Sequence, residues 1–333
     1  MSDMRDHTGI LTVAETSEGK VTSASLEILT FGKRLSQELG QPLFAIVLGS
    51  TVSSVANDIA TAVDRVYVVD DPSLDEFHVE FSLQAIERVA EMARPAVILL
   101  GASLESRDLA PRLALRLDTG VATNCEELRI DDETGAFEAV CSVYGGAALS
   151  TYRFDDAMPC VVSMKPGVAD PLSLPGRISG EVIEVRQDFT GIERRSKVLG
   201  KAAQSGPRLE ESEVIVAGGK GLSESENFAL IRELAEALGG MPAASRAIVD
   251  LGWATRAQQV GLTGQVVSPE LYIAAGISGA SQHMVGCSSA RCIVAINTDR
   301  DAPIFQHARY GVVADCSEFL PAFIDKCREL GLD

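Results

Sequence analysis

Three short stretches of this chain have residue types and spacing suited to holding an anionic ligand with several functional groups. The first is Gly218-Gly219-Lys220-Gly221-Leu222-Ser223, directly after the apolar run Val214-Ile215-Val216-Ala217. Glycines let a backbone approach a ligand closely, and lysine supplies a point charge. The stretch is neither a GxGxxG fingerprint nor a Walker A loop, so it reads equally as a tight strand-to-helix turn with a surface lysine. The second is Gly276-Ile277-Ser278-Gly279-Ala280-Ser281-Gln282-His283, after Leu271-Tyr272-Ile273-Ala274-Ala275. Small residues opening a helix suit a phosphate or ribose. A lone histidine is more often structural, but here Gln282 and His283 arrive with a glycine-rich turn at the end of one buried strand. The third is Ser245-Arg246, ahead of Ala247-Ile248-Val249, which reads as a strand. The guanidinium either faces a crevice or pairs with an acid such as Asp250. Asn297-Thr298-Asp299 and Asp315 end two further strand-like runs, as rim residues or as helix caps. There is no GxSxG, no HExxH and no Cys-His nucleophile setting. The chain therefore reads as a cofactor holder rather than a hydrolase or transferase.

These residues need strands to end at one edge of a sheet. In the first half, strands are expected at Gly9 to Ala14, Leu43 to Leu48, Arg65 to Val69 and Val97 to Leu100, with helices at Leu26 to Leu39 and Phe81 to Ala93. Alternating strands and helices imply a parallel sheet covered on both faces. From Val121 to about Val185 short strands dominate, including Ala139 to Val143 and Cys160 to Met164. Gly145-Gly146 and Pro166-Gly167 supply turns. Arg186 to Glu213 is polar and broken by Gly200, Gly206 and Pro207, so the domain boundary is placed near 205. Beyond it come strands at Val214 to Ala217, Arg246 to Val249, Leu271 to Ala275, Cys292 to Ile296 and Gly311 to Ala314. Helices are expected at Glu224 to Leu238, Gly279 to Val285, Ile304 to Ala308 and Glu318 to Leu330. Ser223 with Glu226 stands at capping-box spacing.

The 333 residues suffice for two α/β domains. A net charge of −18 argues against nucleic acid or anionic lipid as a partner. The opening residues from Met1 to His7 are polar with no apolar segment behind them, and no run is long enough for a membrane span. A cytoplasmic protein is expected, because the seven cysteines sit in apolar stretches as reduced thiols. Cys287 and Cys292 have no histidine at ligand spacing, so no metal site is expected.

The same stretches resemble the FAD signature of electron transfer flavoprotein α subunits. The resemblance covers Leu271 to His283, Val294-Ala295-Ile296-Asn297, Ala302 to Gln306 and Tyr310 to Asp315. It extends upstream through Gly221-Leu222, Glu226-Asn227-Phe228, Ser245-Arg246 and Gln259 to Gly264. The first half matches more loosely, at Gly101-Ala102 and Asp108 to Arg112. The resemblance implies an N-terminal α/β domain with a β-rich extension (1–205) that contacts a β subunit. It also implies a Rossmann-like, FAD-binding domain (206–333). Arg246 would lie against the isoalloxazine ring, its fixed charge favouring reduced flavin. Thr263 would offer its hydroxyl near N5, and His283 would bond the pyrimidine O2. Lys220, Ser245, Ser278, Gly279, Ala280, Ser281 and Gln282 would contact the pyrophosphate, ribityl chain or ring. Asn297 and Asp315 would hold the adenosine end. Val260, Gly261, Leu262 and Cys316 fall on matching positions. The family usually has Arg at Lys220, Gln at Leu262 and an aliphatic residue at Cys316. The implied function is electron shuttling between a flavin dehydrogenase, such as an acyl-CoA dehydrogenase of fatty acid β-oxidation, and a quinone reductase or similar acceptor. Some members instead bifurcate electrons from NADH. Two rival readings are an NAD-dependent oxidoreductase, which lacks its GxGxxG here, and a non-redox adenine-nucleotide module suggested by the rhythm of the first half.

Overall fold

The computed structural model describes residues 7–331, except 102, 132, 145–147, 156–157, 175, 177–178 and 200–207. Residues 1–6, Ala102, the Gly145-Gly146 turn, the linker breaks at Gly200, Gly206 and Pro207, and the boundary near 205 lie outside the described residues. Two compact units emerge: Met1–Val143 with Leu149–Ala202, and Ala203–Asp333 with Tyr144–Ala148.

The first unit contains β1 (Ile10–Ala14), β2 (Thr16–Ser17), β3 (Lys20–Val21), α1 (Ser23–Leu39), β4 (Leu43–Gly49), α2 (Ser53–Ile59), β5 (Arg65–Asp70), α3 (Val79–Ala93), β6 (Val97–Leu100), α4 (Leu104–Arg116), β7 (Val121–Ile130), β8 (Phe137–Val143), β9 (Ala148–Phe154), β10 (Cys160–Met164) and β11 (Glu181–Glu184). Its large sheet runs β11-β5-β4-β1-β6-β10-β7-β8-β9. The strands are parallel from β11 through β7, and β7 pairs β8 antiparallel. Alternate residues feed two cores: Ile10, Ala45 and Val47 pack with α1 and α2, while Leu11, Phe44 and Ile46 pack with α3 and α4. The β-rich reading of 121–185 needs two corrections, the first being that Glu181–Glu184 pairs β5 in parallel at the far edge of the sheet. Cys160 to Met164 does not join the extension but completes the parallel sheet between β6 and β7. Its five residues are all buried, as a strand covered on both faces must be.

Two helices of this unit, α2 and α4, escaped the sequence reading. In α4 the buried Ser106, Leu109, Ala110, Leu113 and Ala114 keep helical spacing, but Pro111 sits inside and hides the pattern. Its N-cap, Ser103, does more than start a helix. The Glu15 carboxylate, just past β1, accepts hydrogen bonds from Ser103 Oγ at 2.5 Å and Ser106 Oγ at 2.7 Å. Strand order reverses between β1 and β6, the point where an open α/β sheet would take a nucleotide. Here a carboxylate of the chain itself occupies that helix start, which weighs against the adenine-nucleotide reading of this unit.

The second unit contains β12 (Val214–Gly218), α5 (Phe228–Ala237), β13 (Met241–Ala244), α6 (Arg246–Asp250), β14 (Leu271–Ala275), α7 (Ser281–Met284), β15 (Cys292–Asn297), α8 (Ile304–His307), β16 (Tyr310–Val313) and α9 (Cys316–Glu329). All five strands are parallel, in the order β13-β12-β14-β15-β16. Ile273 and Ala275 pack with α5 and α9, while Tyr272 and Ala274 face the opposite core. Three expectations are corrected here. The strand at Arg246 to Val249 is a short helix; the paired residues are Met241 to Ala244, in register with Ile215 to Gly218. Pro242 is tolerated there because β13 is an edge strand. The helix expected from Glu224 begins at Phe228, and Ser223 is no cap: its φ is 66°, outside the extended region an N-cap uses. The helix after β14 is a single turn, Ser281–Met284.

Replacing Glu15 with Ala should destabilise the first unit by about 1–3 kcal/mol, because the buried Ser106 and the half-buried Ser103 hydroxyls lose a charged acceptor. Urea unfolding followed by circular dichroism measures it; an unchanged midpoint would show that the carboxylate plays no structural part.

Candidate functional site

In a sheet of order 2-1-3-4-5, crossovers leave opposite ways from the first and third strands and open a crevice at their carboxyl ends. These strands are β12 and β14, and the turns after them touch backbone to backbone. Gly219 N–H donates to Ala275 O at 2.9 Å, and Gly221 N–H donates to Gly276 O at 2.9 Å. Gly276 has φ 67°, and a Cβ on it would meet the Gly221 backbone at 2.7 Å. Both positions therefore require glycine. Next along, Gly279 (φ 82°) lies so close to Ile304 N that a Cβ would clash. It also breaks the chain before α7, which explains the short helix.

A cavity of about 630 Å³ opens at these strand ends. Lys220 and Gly221 line it after β12, Ser245 and Arg246 after β13, and Gly276, Ile277, Ser278, Ala280, Gln282 and His283 after β14. Asn297 and Asp299 contribute from the end of β15. The loop Gln259 to Thr263 closes one side, held by Val260 N–H to Ala244 O at 3.0 Å and Leu262 N–H to Gln282 O at 2.7 Å.

Arg246 opens α6, is largely exposed and pairs with Asp250 at 3.3 Å, so both readings of this residue hold at once. Lys220 has no ion-pair partner among the described residues. Two cations thus face one cavity in a chain of net charge −18. Ser245 is the N-cap of α6, but its hydroxyl makes no cap hydrogen bond. Gln259 Nε2 donates to Thr263 Oγ1 at 2.9 Å, which leaves the threonine hydrogen to donate elsewhere. Asn297 braces the rim, with Nδ2 donating to Ile277 O at 3.0 Å and Oδ1 accepting from Asp299 N–H at 2.9 Å.

His283 is buried at the cavity wall. Its Nε2 lies 2.9 Å from the Tyr272 hydroxyl, and its Nδ1 is buried without a hydrogen-bond partner. Burial pushes the imidazole down to about 4, with the Val260 backbone acting the other way. The same burial pushes the Tyr272 phenol up, and Cys287 up to about 12.

Four expected residues do not line the cavity. Gly279 and Ser281 shape the turn beside it. Cys316 is buried under β15, and Asp315 caps α9, accepting from Ser317 N–H at 2.8 Å and Oγ at 2.6 Å. Those bonds hold its carboxylate below the usual range, so the cap reading of Asp315 is realised. Sequence reasoning assigned no role to Gln259, Ala302 or Pro303, which also line the cavity. Only Gln259 carries a chemical signal, as the partner four residues before Thr263. Among the described residues no group of His, Cys, Asp or Glu could hold a metal ion, and no helix is long and apolar enough to cross a membrane.

Glycine-backed backbone, two cations and a buried, unpartnered ring nitrogen fit a flavin dinucleotide with its anionic bridge. The neutral His283 ring also predicts a pH effect. The unfolded chain binds this proton near pH 6.5 but the fold resists it until about 4. Stability is thus fully present above pH 6.5 and is lost as pH falls toward 4, by on the order of 3 kcal/mol. Urea midpoints of the second unit at pH 7 and 4.5 should show this, and His283→Gln should lose that part of the pH dependence; an equal dependence in both chains would contradict it.

Residues 10–190 match the electron transfer flavoprotein domain, and residues 208–288 match the electron transfer flavoprotein FAD-binding domain. The chain is 40% identical over 330 residues to an electron transfer flavoprotein subunit alpha of Thermoanaerobacterium thermosaccharolyticum, covering 98% of this chain and all of the relative. It is 36% identical to a FixB protein of Clostridium saccharobutylicum and 35% identical to a subunit alpha of Megasphaera elsdenii, each over 98% of both chains. The chain belongs to the electron transfer flavoprotein α-subunit family, and FAD is its cofactor.

Proposed function

We propose that the cavity between the ends of β12 and β14 is the seat of the FAD. The observation that carries this is the convergence of Lys220, Arg246 and the unpartnered His283 on one glycine-backed cavity at the sheet's switch point. Lys220 places a positive charge for the pyrophosphate, but as an ammonium it lacks the bidentate fork that arginine would provide. Arg246 holds a permanent charge beside the flavin ring, and Thr263 offers its hydroxyl there. His283 donates from a water-poor wall, where a hydrogen bond gains strength. Ser245, Ser278, Ala280, Gln282 and Asn297 supply the remaining polar and small surface. Bound flavin supplies reversible electron uptake; no side chain has to act as general acid or base. The protein's work is to bind the cofactor, set its potential and leave it reachable.

The relatives are named as α subunits. The further reading is that this chain pairs with a β subunit through its N-terminal domain, residues 1–205, with residues 206–333 as the flavin domain. In that complex it takes electrons from a flavin dehydrogenase, such as an acyl-CoA dehydrogenase, and delivers them to a quinone reductase or similar acceptor. A cytoplasmic location accords with its thiols and charge.

The test is an absorption spectrum of the chain co-purified with its β partner, with FAD counted per pair. One FAD supports a simple carrier, two support bifurcation, and none sinks the reading. Lys220→Met should weaken FAD binding about tenfold, as for the loss of a charge-assisted contact. Arg246→Ala should move the flavin midpoint potential to more negative values, because a fixed cation favours the electron-rich form. Unchanged affinity and potential in these variants would place the flavin elsewhere.

A further inference from the structure

The Tyr272 hydroxyl has been given no role in ligand binding so far, yet among the described residues it is the one side-chain group within hydrogen-bond distance of His283, at 2.9 Å from Nε2. Tyr272 is fully buried on β14, the central strand, in register with Ile215 on one side and Ile293 on the other. Its hydroxyl therefore has no freedom to leave. A neutral imidazole carries one N–H and one acceptor nitrogen, and the partner of one decides the role of the other. Two arrangements are open. Either the phenol donates to Nε2 and the proton sits on Nδ1, or Nε2–H donates to the phenol oxygen and the phenol turns its hydrogen to the neighbouring Cys287 Sγ. The first uses a strong donor and a strong acceptor, while the second relies on sulfur, a weak acceptor. The Cys287 thiol is already directed at the His283 carbonyl, 3.7 Å away.

We propose that Tyr272 is a positioning residue: its hydroxyl donates to His283 Nε2, fixes the ring proton on Nδ1, and so presents a buried N–H donor to a carbonyl oxygen of the ligand in the cavity. The donor role rests on the FAD seat proposed above; the proton's location does not. Without that phenol the ring would be free to carry its proton on Nε2, offering the ligand a lone pair instead of a donor.

Ring nitrogen NMR of His283 in the full α/β complex tests this. The expected result is a protonated Nδ1 and an unprotonated Nε2, unchanged in Cys287→Ala. In Tyr272→Phe the proton should shift toward Nε2, the FAD dissociation constant should rise about fivefold to tenfold, and the flavin midpoint potential should fall. A proton on Nε2 in the unaltered chain, or a shift in Cys287→Ala, overturns the proposal even if Tyr272→Phe fails to fold. A protonated Nδ1 whose resonance does not move when FAD is removed overturns the flavin seat instead, and leaves the location of the proton standing.

Discussion

The second unit depends on a close approach between two pieces of backbone. The turns after β12 and β14 are joined by Gly219 to Ala275 and Gly221 to Gly276 hydrogen bonds, with no room for a Cβ on either side. That contact is possible only if both strands end at the same level, which their register from Val214↔Leu271 to Gly218↔Ala275 ensures. Once it forms, Lys220 leaves on one side and Ser278 to His283 on the other, and the space between them becomes the cavity. The adjoining strands then add their ends: β13 delivers Ser245 and Arg246, and β15 delivers Asn297.

The two units show how one architecture can bear a site or close one. Each has a parallel sheet whose order reverses at an internal strand pair. In the second unit that crevice is backed by glycines and lined by cations. In the first it receives the carboxylate of Glu15, held by Ser103 and Ser106. A carboxylate held by hydroxyls at a helix start puts a negative charge where a phosphate would otherwise be favoured. Function thus follows from what stands at the strand ends, not from the fold itself.

Most of the sheet was legible in the sequence, because strands buried on both faces read as continuous apolar runs, as at Leu43 to Leu48 and Leu271 to Ala275. The errors arose where a local pattern was overruled. Ala247-Ile248-Val249 is apolar enough for a strand, but β12 takes Met241 to Ala244 as its partner and turns these residues into a helix of which only Ile248 is buried. Ser223 and Glu226 have capping-box spacing, yet the tight turn at Lys220–Leu222 leaves Ser223 with positive φ. Arg246, Lys220 and His283 could be singled out because their chemistry is unusual at a strand end. The interplay of Tyr272 with His283 could not, since a tyrosine inside an apolar strand looks like any other core residue until its hydroxyl is placed.

The central claim is that the flavin lies at the β12/β14 switch point, with its ring between Arg246 and His283. A crystal structure of the α/β complex purified with FAD tests it most directly. The account predicts isoalloxazine density within contact distance of Arg246 and a hydrogen bond from His283 Nδ1 to a ring carbonyl oxygen. Flavin density elsewhere in the complex, with this cavity filled by solvent, would contradict it.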